Sequence, residues 1–309
     1  MSFSALLSRM LVLLIFICIG VLCSKLRFID EHSASSLNKL VLYVCGPMLI
    51  LQSSQSVQGE FGMSDILRLL LYGVMVQVLC IVIGVIFARV ICGKKPIRGV
   101  FALVTAFGNI VFMGIPVVSA LYGDGAVFLL SVISIPFNLF IFTLCIFLIL
   151  GGRKQEQKIP WKKLLYNPSL IAVILALILF FLRVEMPAPL TEVMRYLGQM
   201  VVPLSMLLIG AALGRMRLKT VFGSGLTYLV CVIKLLIVPI PVFFLLRAIV
   251  PDPMVLGILT VMSAMPSASI SPILCAEYGG DSDFASRSVF LSTLLSLATV
   301  PAMVWLLLR

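Results

Sequence analysis

The chain has 309 residues, 61% of them hydrophobic and 11% charged, against about 25% charged in ordinary soluble domains. A soluble globule of this size cannot hide so much apolar surface, which excludes a soluble enzyme, a disulfide-rich secreted module and a disordered chain. The net charge of +11 lies between apolar runs, so it reads as membrane topology and not as a nucleic-acid surface.

The first apolar run follows Arg9 and has the charge and length of a signal peptide. No small-residue cleavage site follows Cys23, and more apolar runs do, so it is predicted to remain as a membrane helix. Stretches with few or no charges predict an all-α polytopic membrane protein with ten crossings. They cover residues 4–24, 36–55, 66–88, 97–121, 126–151, 163–182, 191–213, 219–246, 253–276 and 286–308. The longest polar connection is a basic loop over 153–163, with Arg153, Lys154, Lys158, Lys162 and Lys163 in and beside it. It separates a first five-helix half, 1–152, from a second, 164–309. With the N-terminus outside, sixteen basic residues fall on the cytoplasmic side and six on the other. The positive-inside rule therefore places both termini outside a cell membrane.

Eight cysteines are scattered through the apolar runs and His32 is the single histidine. No metal-ligand spacing appears, so the cysteines read as small apolar side chains and no cofactor is expected. Glu60, Asp124, Glu277, Asp281 and Asp283 all fall near helix ends. No mid-membrane carboxylate relay is visible, which leaves proton and sodium both open as coupling ions. With no nucleophile–base pair either, enzymatic chemistry is not expected.

The halves repeat one another. Pro47 matches Pro203 and Pro116 matches Pro272 at an offset of 156, while Pro96 matches Pro253 at 157. Leu121-Tyr122-Gly123-Asp124 aligns with Glu277-Tyr278-Gly279-Gly280-Asp281 across one inserted glycine. An odd number of helices per half forces the second half to enter the membrane inverted, the architecture of secondary transporters.

Helices four and nine carry the strongest local signal. Pro116 lacks an N–H and crowds the carbonyl four residues back, so the ladder of helix four is expected to break there, loosened further by Gly108 and Gly114. In helix nine Pro266 and Pro272 bracket Ser267, Ser269 and Ser271. Broken helices in hydrocarbon must be buried in protein or line a watery cavity. Each would present a half-helix N-terminus with a partial positive charge of roughly half a unit, suited to an anion. The alternative is that these prolines only kink packed helices. Lys234 lies near the middle of the eighth run and corresponds to Gln77 at an offset of 157. A lysine at that depth is either a site for an anion or a structural donor to backbone carbonyls. Asn138 and Gln52 are candidates for the cleft or for bonds to neighbouring helices. Gly210-Ala211-Ala212-Leu213-Gly214 suits close helix packing, within a protomer or across a homodimer.

Gly108-Asn109-x-x-Phe112-Met113-Gly114-Ile115-Pro116 with Leu121-Tyr122-Gly123-Asp124 resembles the fourth helix of the auxin efflux carrier family. Ala264-Met265-Pro266 with Pro272 and Tyr278-Gly279-Gly280-Asp281 resembles its ninth. The resemblance spans the chain and implies two inverted halves whose helices four and nine cross at their breaks. It also implies a scaffold of helices 1, 2, 6 and 7 and a transport unit of helices 3–5 and 8–10. Members include plant auxin exporters and bacterial malate or malonate permeases. Asn109 matches the amide that plant members place beside the substrate carboxylate. Met265 stands where they have a polar partner, with Ser267, Ser269 and Ser271 as substitute donors. The residues expected to bind substrate are Asn109, Gly114, Pro116, Asn138, Lys234, Met265, Ser267, Ser269 and Pro272. The expected function is elevator-type secondary transport of a small mono- or dicarboxylate; the alternative is a sensor of the same fold that binds a lipid or sterol. Partners are then the organic anion and membrane lipids, with no nucleic acid.

Overall fold

The structure is a computed structural model, which describes residues 3–59, 61–93, 95–150, 165–215 and 225–308. The basic loop over 153–163 lies outside the described residues. Among the described residues the fold is all-helical, with one isolated antiparallel bridge and no strand. In chain order the helices are α1 (Phe3–Lys25), α2 (Glu31–Ser56), α3 (Met63–Cys92), α4 (Arg98–Ala106), α5 (Ile110–Tyr122) and α6 (Gly125–Ile149). They continue as α7 (Pro168–Phe181), α8 (Ala188–Arg215), α9 (Gly225–Arg247), α10 (Pro253–Ala264), α11 (Ser271–Glu277) and α12 (Ser282–Leu307). Seven are long and apolar enough to cross a membrane, namely α1, α2, α3, α6, α8, α9 and α12; α5, α7 and α10 are shorter apolar helices. Leu67, Leu71, Val74, Val78, Val82, Ile86 and Val90 form one exposed aliphatic stripe along α3. Its opposite face buries Ile66, Leu69, Val76, Cys80 and Ala88. Exposed aliphatics at helical spacing along a 30-residue helix are what a lipid-facing surface requires. The chain is a polytopic membrane protein.

Prolines shape the helices in a repeated way. Bonding widens to the π pattern for one turn at Val41–Cys45, Ile110–Gly114 and Ile233–Ile237, and each turn ends two residues before a proline: Pro47, Pro116 and Pro239. The ring of proline crowds the carbonyl four residues back. Shifting the bonds by one residue relieves that crowding. Gly46 N–H accordingly donates to the Val41 carbonyl, and Val238 N–H to that of Ile233 at 2.8 Å. Lys234 sits inside the third of these turns.

The chain gathers into two compact units that interleave its sequence halves. The first comprises Met1–Leu70, Val111–Ile133 and Leu165–Met216, and the second Leu71–Ile110, Ser134–Leu164 and Arg217–Arg309. In the first, α1 and α8 pack backbone to backbone. A Cβ on Gly20 would meet the Leu207 backbone, one on Gly210 would meet Ile17 and Gly20, and one on Gly214 would meet Val21 and Ser24. The small-residue motif Gly210–Gly214 is thus used for packing within the protomer. Arg9 in α1 donates to the carbonyls of Ala120 and Leu121 at 2.6 and 2.9 Å, and Phe128 packs on Phe180 with ring centroids 5.2 Å apart. In the second unit, Phe101 of α4 stacks on Phe284 of α12 at 6.4 Å. Phe243, Met303 and Leu307 make a further apolar cluster between α9 and α12.

Candidate functional site

Helix four breaks earlier than Pro116. The α4 ladder ends at Ala106, Phe107 turns extended (φ −104°, ψ 127°), and helical bonding resumes at Ile110. Pro116 instead stands in the first turn of resumed α-helix, where its missing N–H and fixed φ cost little. A proline therefore marks the start of a half-helix, and the break falls N-terminal to it. Helix nine obeys the same logic. Met265, which precedes Pro266, is extended (φ −65°, ψ 146°) and ends α10, as the proline ring behind it demands. Pro272 then opens α11.

Within the second unit the two unwound segments meet. Gly108 and Ser267 form an antiparallel bridge, Asn109 N–H donates to the Pro266 carbonyl at 2.7 Å, and Ala268 N–H donates to the Phe107 carbonyl at 3.0 Å. The sequence left the freed backbone groups two outcomes, burial in protein or a watery cavity. At these positions they satisfy one another within the protein, because unpaired groups at membrane depth cost several kcal/mol each. Ser267 locks the crossing. Its hydroxyl donates to the Val104 carbonyl at 2.6 Å, and its N–H donates to the Ser292 hydroxyl at 3.1 Å. Phe107 packs edge-on against Phe137 at 5.5 Å.

Lys234 reaches this crossing. It is 1% exposed, and it is the only Lys, Arg, Asp or Glu among the buried described residues. Its Nζ donates to the Ser263 carbonyl at 3.4 Å and lies 3.5 Å from where a Gly108 Cβ would stand. The same Cβ would come within 3.2 Å of Met265 Cβ and 3.3 Å of the Met262 carbonyl, so glycine is what lets the two segments approach. On the other flank, Gln77 of α3 is 2% exposed, and its Nε2 donates to the Ala106 carbonyl at 3.5 Å. Gln77 and Lys234 are 157 residues apart, and so are their acceptors Ala106 and Ser263. Gln77 of α3 and Lys234 of α9 thus each reach a carbonyl in the last turn of a short helix, α4 and α10. That placement follows from the α-helix leaving its last carbonyls unpaired.

The structure therefore brings together Asn109, Lys234, Met265 and Ser267. Asn109 and Met265 are buried on the two paired segments. Ser269 is exposed, and Pro272 is half-buried at the start of α11. Asn138 is half-buried and donates from its amide to the Ser134 carbonyl of its own helix at 3.0 Å. Gly114 and Pro116 are buried in the first unit. Sequence reasoning left Gln77 out of the site although its offset from Lys234 pointed there. It had no signal for Ser263, which contributes a backbone carbonyl, or for Ser292. A cavity of about 260 Å³ lies away from the crossing, lined by Val85, Arg89, Arg98 and Phe147 among others. Among the described residues no cluster of His, Cys, Asp and Glu could hold a metal ion.

A crossing of two broken helices beside a buried lysine, in an all-helical polytopic chain, fits a membrane transporter. Comparison with known proteins gives the family: residues 5–304 match the membrane transport protein family, and the chain belongs to it. This is the group of the auxin efflux carriers that its motifs resemble. An uncharacterized transporter of Methanocaldococcus jannaschii is 27% identical over 97% of this chain and 98% of its own length. A second uncharacterized transporter, from Methanothermobacter thermautotrophicus, is 26% identical over 93% of this chain and 94% of its own. A Rhizobium meliloti protein named "putative malonate transporter" is 25% identical over 94% of this chain and 92% of its own.

Proposed function

We propose that this protein is a secondary active transporter of a small organic anion, a mono- or dicarboxylate, and that the anion binds at the crossing beside Lys234. The observation that carries this reading is the pairing of the two unwound segments at Gly108 and Ser267 against Lys234, the only buried Lys, Arg, Asp or Glu among the described residues. An uncompensated charge at membrane depth is costly, and such residues mark substrate pathways. Lys234 has a single carbonyl acceptor at 3.4 Å for its three N–H donors, so an anion bound next to it gains charge-assisted hydrogen bonds that the empty site lacks. The malonate named for the Rhizobium meliloti relative is an acid of this class.

In this reading ten crossings form two inverted five-helix repeats in a cell membrane with both termini outside. Transport proceeds as an elevator, in which the unit bearing the crossing moves with its substrate while the other stays fixed. The matched pairs Gln77–Ala106 and Lys234–Ser263 support the repeat. Inward and outward states then differ in their affinity for the anion, as alternating access requires.

The test is a thermal-stability screen of the purified chain against malonate, malate, succinate and indole-3-acetate. One acid is expected to stabilise the wild type selectively and to lose that effect in Asn109→Ala and Lys234→Met. Stabilisation that persists unchanged in both variants would move the anion away from the crossing.

A further inference from the structure

We infer that the charge count at the crossing, set by Lys234 and its repeat mate Gln77, selects substrates that carry a single negative charge. A dicarboxylic acid would then travel as its singly protonated form. This inference rests on the crossing being the anion site.

Lys234 and Gln77 occupy equivalent places in the two repeats and make equivalent bonds, to Ser263 and to Ala106. One position is an ammonium and the other a neutral amide. Their acceptors end the two half-helices whose continuations pair at Gly108 and Ser267. No other Lys, Arg, Asp or Glu is buried among the described residues. In this low-dielectric setting one carboxylate is neutralised by Lys234, while a second would meet only neutral groups, the amides of Gln77 and Asn109 among them. Hydrogen bonding to an amide does not offset the lost hydration of a full charge, so a protonated second carboxyl is favoured there. A carboxyl in that state can still hydrogen-bond with the amide, which both donates and accepts.

The other titratable groups near Lys234 do not supply a second positive charge. Cys80, one turn along α3 from Gln77, is the group in electrostatic reach of the ammonium, and it is a buried thiol. The π-turn bearing Lys234 packs against α4, α10 and α12 as well as the rest of α9. Titratable residues on those helices are Arg98, Tyr228, Cys231, Arg247, Asp283 and Arg287. Of these only Cys231 is buried, and it too is a thiol.

The experiment compares malonate with its monomethyl ester, which keeps one negative charge at every pH used. Initial uptake into proteoliposomes and thermal stabilisation of the purified full chain are read across malonate's second ionisation. The wild type is expected to take up the ester at a constant rate. Malonate uptake should fall by about tenfold per pH unit once the second carboxyl ionises, following the fraction of monoanion. Titration of Lys234 or Cys80 would move both probes together, so the ratio of the two isolates the substrate's own proton. Gln77→Lys supplies the second positive charge. It should flatten the malonate profile and weaken ester uptake at least tenfold. Malonate uptake that stays level with pH in the wild type, while the ester is also carried, overturns the inference and leaves the transporter reading standing. Failure of malonate, its ester and the other acids of the stability screen to bind or to move removes the anion site itself, and the inference with it.

Discussion

At the scale of single residues, Gly108, Lys234 and Ser267 hold the crossing together. Gly108 is needed for close approach: Gly108→Ala would place a methyl group 3.2 Å from Met265 Cβ and 3.3 Å from a backbone carbonyl. Overpacking of that kind costs about 1–3 kcal/mol, and a lowered melting temperature of the purified variant checks it. Ser267→Ala removes the bond to the Val104 carbonyl and leaves that acceptor unpaired, a loss of about 1–3 kcal/mol. Lys234 stood out in the sequence because a charge inside an apolar run is visible without knowing its neighbours, whereas Asn109 stood out only through the family resemblance of its motif. The task of Ser267 did not stand out. Its hydroxyl partner lies 163 residues earlier, and nothing local distinguishes it from Ser269, which ends up exposed.

At the scale of elements, the position of each proline was readable and its consequence only partly so. The expectation for helix four put the break at Pro116; the structure puts it at Phe107–Asn109 and gives Pro116 the first turn of the resumed α-helix. Proline fits the first turn of a helix better than its interior, so the break precedes it. The π-turns before Pro47, Pro116 and Pro239 follow from the same ring and carbonyl crowding, yet periodicity in the sequence does not reveal them. Helix pairing is a further property that only the fold decides. The Gly210–Gly214 motif was compatible with a dimer contact, and it packs against α1 of the same chain. Gly210→Leu is therefore expected to lower thermal stability sharply, by about 1–3 kcal/mol or more for a side chain forced against backbone. Its oligomeric state by light scattering should match that of the wild type. A shift from dimer to monomer with unchanged stability would contradict this assignment.

At the scale of the whole molecule, the chain is a multi-pass member of the membrane transport protein family. Its composition announced the membrane, while the proline offsets pointed to two related halves as an expectation that the proposed function keeps. Hydropathy and the proline offsets do not mark the two compact units, whose boundaries at Leu70 and Ile133 fall inside helices; the scaffold and transport unit that the family resemblance implies were drawn at whole helices. Contacts between residues far apart in the chain define such units, and hydropathy is blind to them. The matched bonds of Gln77 and Lys234 connect the scales: two residues 157 apart bond to carbonyls also 157 apart, and of the two only Lys234 can carry a charge. In the proposed function Lys234 holds the transported anion. The most direct measurement is uptake of radiolabelled malonate and of its monomethyl ester into liposomes bearing wild type or Lys234→Met, at equal amounts of inserted, folded protein. The account predicts uptake by the wild type of at least one of the two, and loss of that uptake in the variant. Equal uptake by both proteins would contradict it.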